Sequence, residues 1–448
     1  MNGSTVAMMN APATGGTTTA VTVAYPVGGA VLTAKTFDGA NGIGTVLGQV
    51  TEEPLITMGQ ANIITLAIEG IARSATIAAA PNQPLLEGNA ATGYTLLGDQ
   101  PEAFDIILKD ADNNVILDDP PPFVTLGNQA ISAQYESGGA SIIYFAATFQ
   151  SSGYENITVQ LNNPDGTTLD LSPVKIQDDP LVAVINGGTN SIAMYDGNGN
   201  TISLPVGSFS GLVHPTSLTY DPCLRLLVVA DAGTNSLSFF GTDGETYPYS
   251  VGPFTGVSNP TALIAAPITG TYDYLVANAG DDSLRFYTTS GPTLLSPEFW
   301  SGHVPDGIAC TNQCAQQILI SSDNSATNLN QSLPPGAFAG LHDPSAILAA
   351  QFTNDSLVYI ANRGNNTITT YTTSGATAAT TGTFPGLSAP DAMTWNVEQS
   401  GLLVANAGNN SVTAYDLQGN AVPLPGGAFA NLNAPSAILG IPLGQCYY

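Results

Sequence analysis

The stretch Leu403-Val-Ala-Asn-Ala-Gly-Asn-Asn-Ser-Val-Thr-Ala-Tyr-Asp416 holds two short runs of strand-forming residues around a turn of Ala, Gly and Asn. A β-hairpin is its natural reading. The first run recurs as Ala183-Val-Ile-Asn186, Val228-Val-Ala-Asp231, Leu275-Val-Ala-Asn278 and Tyr359-Ile-Ala-Asn362, each followed by a Gly/Asn turn and a second β-branched run. Half a repeat later come Phe209, Phe254, Phe299, Phe338, Phe384 and Phe429, each leading through a loop to Pro215, Pro260, Pro305, Pro344, Pro390 and Pro435. The proline intervals are 45, 45, 39, 46 and 45 residues. A period of that size with three or four short strands per unit is that of a propeller blade.

Six prolines imply six blades. Each unit reads as strand a after the proline, strand b ending in Asn or Asp, strand c such as Ser411–Tyr415, and a looser strand d. The chain enters the array at a b strand near Leu181 and leaves on an a strand, Ser436–Ile441. The closing blade is therefore expected to join Ser436–Ile441 to strands from Leu181 to Pro205, which removes the open sheet edges that template aggregation. The unit from Ile318 to Ala350 is about six residues short and replaces the Val-Ala-Asn signature with Ile-Ser-Ser, so its hairpin is expected to be shortened.

Composition bounds the function. Only 9% of the 448 residues are charged, against about 25% in an ordinary soluble protein, and 7 basic residues face 34 acidic ones for a formal net charge of −27. Lys35, Arg73, Lys109, Lys175, Arg225, Arg285 and Arg363 cannot build the basic surface that nucleic acid or an anionic membrane requires. No stretch approaches about 18 consecutive apolar residues, which leaves no transmembrane helix. The start, Met1–Thr19, has neither the basic nor the apolar region of a signal peptide, so the chain reads as a mature or trimmed form. Charge poverty, abundant Thr, Asn and Gly, and four cysteines favour an extracellular or cell-surface location.

Leu403–Asp416, followed by the Phe429 to Ile438 pattern Phe, Leu, Pro-Ser-Ala-Ile, resembles the NHL and YncE-like β-propeller repeats of bacterial and archaeal surface proteins. The resemblance covers about 270 residues and implies a C-terminal six-bladed β-propeller over residues 178–448. It implies mostly interaction platforms, with some six-bladed relatives acting as metal-dependent lactonases or lyases.

Upstream, strands without the 45-residue period are expected at Phe104–Lys109, Val115–Leu117, Ala140–Ala146, Asn156–Leu161 and Leu169–Leu171, with turns at Asp110–Asn114 and Asn162–Gly166. That spacing suggests an Ig-like β-sandwich over residues 71–177. Strands at Ala20–Tyr25, Ala30–Phe37, Gly44–Val50 and Ala61–Ala67 read as a smaller Ig-like module within residues 1–70. The whole chain is thus expected to be all-β.

Chemistry-bearing residues gather in the repeats. Cys310 and Cys314 flank an a-to-b hairpin, and Cys223 and Cys446 fall in a-to-b loops of blades expected to be adjacent, so the disulfides Cys310–Cys314 and Cys223–Cys446 are expected. The d-to-a loops and b-to-c turns share one face, which collects His214, His303, His342, Asp306, Asp343 and Asp391 together with the turns at Asn186, Asn278, Asn362 and Asn406. Asp306 and Asp391 directly follow their prolines and could share a cation such as Ca²⁺. The alternative is that Asp, Ser and Thr there make local turn and backbone bonds. Trp300 clusters with His303 and Asp306 in one loop, which suits a sugar or protein contact as well as packing between blades, and Trp395 reads as core. No G-x-S-x-G, P-loop, H-E-x-x-H or G-x-G-x-x-G occurs.

The leading expectation is a non-enzymatic surface protein whose propeller head, on a β-module stalk, binds a surface protein or a glycan. A second reading is a self-assembling subunit that donates an N-terminal strand to copies of itself. A third is a lactonase- or lyase-like enzyme using a channel cation at Asp306 and Asp391.

Overall fold

The computed structural model describes residues 28–37, 43–57, 69–80, 83–98, 102–113, 131–136, 141–147, 155–157, 160–163, 165–170, 174–248, 254–267, 272–288, 291–299, 303–311, 316–329, 332–349, 357–378, 382–396 and 401–441. Every regular element among them is a β-strand. The chain divides into two compact units: residues 1–95, 101–147 and 151–177 form one, and residues 96–100, 148–150 and 178–448 the other.

In the second unit, six antiparallel sheets of three or four strands follow one another among the described residues. Sheet 1 is Pro215–Asp221, Leu226–Asp231 and Ser236–Phe240; sheet 2 is Pro260–Pro267, Tyr272–Asn278, Ser283–Thr288 and Gly291–Phe299. Sheet 3 is Pro305–Thr311, Gln316–Ser321 and Ser325–Asn328, and sheet 4 is Pro344–Ala349, Leu357–Asn362 and Thr367–Thr372. Sheet 5 is Pro390–Asn396, Gly401–Asn406, Ser411–Tyr415 and Ala421–Val422. Sheet 6 joins the two ends of the unit, pairing Pro435–Ile441 with Leu181–Asn186 and that strand with Ser191–Asp196. Each a strand packs on the a strand of the next sheet, and that of sheet 6 packs on that of sheet 1, so the sheets close into a propeller-like ring. The expected union of Ser436–Ile441 with the strands after Leu181 is present, residue for residue from Leu181↔Ile441 to Ile185↔Ala437. The hairpin of sheet 3 is short as expected, its c strand having 4 residues.

The landmarks of the repeat are packing devices. Strand b is buried along its whole length in sheets 1, 5 and 6, which explains why it reads as an unbroken apolar run and not as an alternation. In sheets 1, 2, 4, 5 and 6 the loop phenylalanine lies against the last aromatic of its own strand c, with ring centroids 5.0 Å apart for Phe429 and Tyr195, 5.1 Å for Phe338 and Tyr371, 5.2 Å for Phe384 and Tyr415, 5.3 Å for Phe209 and Phe240 and 5.4 Å for Phe254 and Tyr287. The tyrosine hydroxyls then cross back to loop carbonyls, as Tyr415 does to Pro385 at 2.7 Å and Tyr195 to Ala430 at 2.8 Å. Burial pushes these phenols up, to about 12 for Tyr195.

The first unit contains two four-stranded sheets. One runs Ile131–Glu136, Ser141–Ala147, Glu102–Lys109, Ser74–Ala79, and the other Glu155–Ile157, Val174–Asp179, Gly93–Leu97, Leu86–Asn89. They meet through Tyr94 and Phe104, whose rings pack edge to face at 4.9 Å. Smaller sheets pair Leu32–Phe37, Val46–Glu52 and Glu69–Gly70, and Gly28–Gly29 with Leu55–Ile56. Asn163 is buried in the turn between Gln160–Asn162 and Thr168–Asp170, and it clasps Ala72 by accepting from its N–H at 2.7 Å and donating to its carbonyl at 3.0 Å. Two expectations change. Asn156–Leu161 is not one strand: Glu155–Ile157 and Gln160–Asn162 belong to different sheets. Ser74–Ala79, Leu86–Asn89, Gly93–Leu97 and Ile131–Glu136 are additional strands. The expected strands at Ala20–Tyr25, Ala61–Ala67 and Val115–Leu117 lie outside the described residues, and the turn at Asp110 is present, with Asp112 N–H donating to the Asp110 carboxylate at 2.9 Å.

Candidate functional site at the mouth of the ring

The Asn or Asp that ends strand b is buried and points into its own sheet's d-to-a loop. Its side-chain oxygen accepts from Asn433 N–H at 2.9 Å (Asn186), Ser258 N–H at 3.0 Å (Asn278), His342 N–H at 2.9 Å (Asn362) and Ser388 N–H at 3.0 Å (Asn406). Asp231 does this twice over, taking Val213 N–H at 2.7 Å and His214 N–H at 2.9 Å. A second asparagine, in the left-handed position of the b-to-c turn, reaches the next sheet. Asn235 accepts from Asn259 N–H, Asn366 from Ala389 N–H and Asn410 from Ala434 N–H, at 2.6 to 2.7 Å. Positive φ values of 53°, 57° and 56° at these three suit asparagine. The asparagines of this face are therefore structural fasteners between the strands and the loops before the prolines.

What the fasteners leave free is concentrated where the repeat is broken, at sheets 3 to 5. Four repeats place Ala or Gly after the terminal Asn or Asp of strand b; sheet 4 places Arg363 there. Its Nε and a terminal nitrogen bind Asp343 at 2.9 and 3.3 Å, and the other terminal nitrogen binds Asp391 at 2.6 Å. The guanidinium holds the Asp343 carboxyl below its ordinary range, and is itself raised by the bond to Asp343. Asp391 moves the other way, because burial outweighs the attraction of Arg363. Asp306 sits within the field of the same group. Burial pushes it up to about 6 against Arg363, with Asp343, Asp391 and Asp323 pushing in the same direction as burial.

Beside it, His303 Nδ1 meets Asp323 at 2.6 Å and Ser325 Oγ at 3.3 Å. Burial pulls Asp323 upward, but the bonds from Ser325 and His303 prevail and keep it low. Sheet 3 also has Ser321 where the others have Asn or Asp; its hydroxyl is buried and finds no partner among the described residues.

The mouth therefore gathers Asp306, Asp343 and Asp391 around Arg363, which sequence reading passed over. The signal was present: a cation at a turn position otherwise held by Ala, Gly or Ser. On one of the two readings of the sequence Asp306 and Asp391 could share a cation. Arg363 occupies an oxygen of Asp391, and among the described residues no three His, Cys, Asp or Glu side chains converge to hold a metal. His214 and His342 are exposed on their loops, apart from this network. Trp300 lies outside the described residues, and Trp395 is half-buried, its ring 6.0 Å from that of Tyr359. Neither described cysteine is free; Cys223 and Cys310 are disulfide-bonded, while Cys314 and Cys446, the expected partners, lie outside the described residues.

The chain matches no protein-family model and no curated protein. Among solved structures it is similar to a chain of the nidogen/laminin complex, at 14% identity and a TM-score of 0.45 over 60% of this chain and 100% of that one. It is also similar to a structural-genomics protein of unknown function from Bacteroides thetaiotaomicron, at 14% identity and a TM-score of 0.42 over 82% of this chain and 95% of that one. Neither likeness bears on ligand or activity.

Proposed function

We propose that this is a non-enzymatic recognition protein of the cell surface or extracellular space, and that the mouth of the ring at sheets 3 to 5 is its contact face. One observation carries the reading: the conserved geometry of the repeat consumes its own asparagines, while the side chains that depart from the repeat form a single exposed ionic network of Asp343, Arg363 and Asp391 beside Asp306 and the His303–Asp323 pair. Val304 stands exposed in the same loop as His303, giving the patch an apolar element among its charges. Acidic groups outnumber Arg363 there, so the partner chemistry is a protein segment rich in Lys or Arg. The half-buried Asp306 and Asp391 make the patch more than a solvated acidic surface. Absence of a free thiol among the described residues supports an oxidising location, and the pairs Cys310–Cys314 and Cys223–Cys446 belong to this reading, to be tested by non-reducing peptide mapping.

The test is a binding screen on arrays of basic peptides, surface proteins and glycans with the wild-type chain and Asp343→Lys. Binding to basic probes that weakens with salt and falls by about tenfold or more in the variant is expected. Equal binding by both chains would remove the mouth from the account.

A further inference from the structure

The residue after each landmark proline is a bulge. The ladder steps from Pro215 to Ser217, Pro260 to Ala262, Pro305 to Gly307, Pro344 to Ala346 and Pro390 to Ala392, leaving Thr216, Thr261, Asp306, Ser345 and Asp391 unpaired, and Ser436 is skipped in the same way. Three of these side chains reach the neighbouring sheet, while Ser436 Oγ is buried and finds no partner among the described residues. Thr216 Oγ1 donates to the Pro260 carbonyl at 2.6 Å, Thr261 Oγ1 to the Pro305 carbonyl at 2.6 Å, and Ser345 Oγ to the Pro390 carbonyl at 2.5 Å. A hydroxyl thus stitches sheet 1 to 2, sheet 2 to 3 and sheet 4 to 5.

Between sheets 3 and 4 the residue in the equivalent bulge is Asp306, and the carbonyl equivalent to those of Pro260, Pro305 and Pro390 is that of Pro344. An ionised carboxylate has no proton to donate and would present its charge to a carbonyl oxygen; a neutral carboxyl donates as a hydroxyl does. No hydrogen bond to the Asp306 carboxyl exists among the described residues. We infer that Asp306 is a proton-operated latch: neutral, it donates to the Pro344 carbonyl and completes the stitching between sheets 3 and 4, and ionised, it releases it.

The electrostatics agree. The a strands of sheets 2 and 4 and the b strand of sheet 3, which pack on its strand, carry no titratable side chain; the b strand of sheet 2, which also packs on it, carries Tyr272, Asp273 and Tyr274 at the end away from the prolines. The groups that face Asp306 are Arg363 from the turn of sheet 4, Asp343 from the loop before it, Asp391 from sheet 5 and Asp323 from the turn of sheet 3. Their balance with burial places its titration near pH 6. Asp391 occupies the same bulge between sheets 5 and 6, but Arg363 holds one of its oxygens at 2.6 Å and so supplies the partner that Asp306 lacks. Because the folded-state value lies above the unfolded one of about 3.9, the latch contributes fully below that value and is lost as pH rises through about 6.

The experiment compares the melting of the ring in the wild-type full chain and in Asp306→Thr, which installs the hydroxyl found in sheets 1 and 2, at pH 4.5 and pH 7.5. The variant is expected to melt about 2–4 °C above wild type at pH 7.5, with the gap closing at pH 4.5. A gap of the same size at both pH values would overturn the latch. Carboxyl ¹³C NMR of the aspartate-labelled wild-type chain supplies a second arm that needs no stabilised variant, with Asp306→Asn used for assignment. A resonance lost in that variant and titrating between pH 5 and 7 is expected, and a midpoint near 4 would refute the inference.

Discussion

A chain ending at Ala434 is expected to lose the cooperative unfolding of the ring altogether. Removing Pro435–Ile441 takes away strand a of sheet 6, and with it the pairing of Leu181–Asn186 and the packing of that strand on the a strands of sheets 5 and 1. The loss includes Ile438 at 6% exposure and Ile441 at 0%. Each fully buried aliphatic contributes roughly 2–3 kcal/mol by area, and six backbone positions lose their ladder, so the sum approaches the 5–15 kcal/mol by which a typical domain is stable. The exposed edge of Leu181–Asn186 would then template aggregation. A milder variant, Ile441→Ala, is expected to cost about 2–5 kcal/mol through the cavity it leaves. Urea unfolding followed by circular dichroism measures both; because the chain has two compact units, the ring transition is to be fitted separately. Unchanged ring unfolding after removal of residues 435–448 would mean that the ring is not closed by this strand.

The second large effect is expected at the fasteners. Asn406 is fully buried and makes three bonds, accepting from Ser388 N–H at 3.0 Å and donating to the Val404 carbonyl at 3.2 Å and Thr413 Oγ1 at 3.1 Å. Asn406→Ala leaves the Ser388 N–H without its partner and removes two further bonds, for an expected loss of about 2–3 kcal/mol and a melting shift of about 5–10 °C. Replacing Asn409 in the same turn, whose side chain accepts only from the exposed Ser411 hydroxyl at 2.7 Å, is expected to cost under about 0.5 kcal/mol. Scanning calorimetry of the two alanine variants checks the contrast. Equal shifts would deny that the Asn of strand b fastens the loop. Sheet 3 is the natural case of such a loss: Ser321 cannot reach as far as asparagine, its hydroxyl is unpartnered, and this is the sheet whose hairpin is shortest among the described residues.

These two effects explain which parts of the molecule the sequence made readable. The prolines mark the bulge, the phenylalanines the aromatic pair and the asparagines the loop fastener, so each landmark recurs because one bond recurs. Their period divided the chain at the right places and even matched the two ends that pair in sheet 6. The first unit has no such repeated bond. Ser74–Ala79 is rich in alanine, and Leu86–Asn89 is so exposed that no apolar alternation marks it. In Asn156–Leu161 the pattern is continuous although the pairing changes between sheets, which no local pattern encodes.

At the mouth, the acidic residues were visible because carboxylates near prolines stood out against Thr and Ser. Arg363 was not, because a single cation in a turn has chemical meaning only once the fold brings Asp343 and Asp391 to it. The asparagines of that face were read only as turn residues, and burial and backbone bonds show them committed to the fold.

The central claim is that the ring serves as a discrete recognition head and not as a building block. Negative-stain electron microscopy of the purified chain over a wide concentration range tests it most directly. Separate knobbed particles at every concentration are the expected result. Regular filaments or lattices that grow with concentration would contradict the account, and would assign the chain to assembly with its own copies.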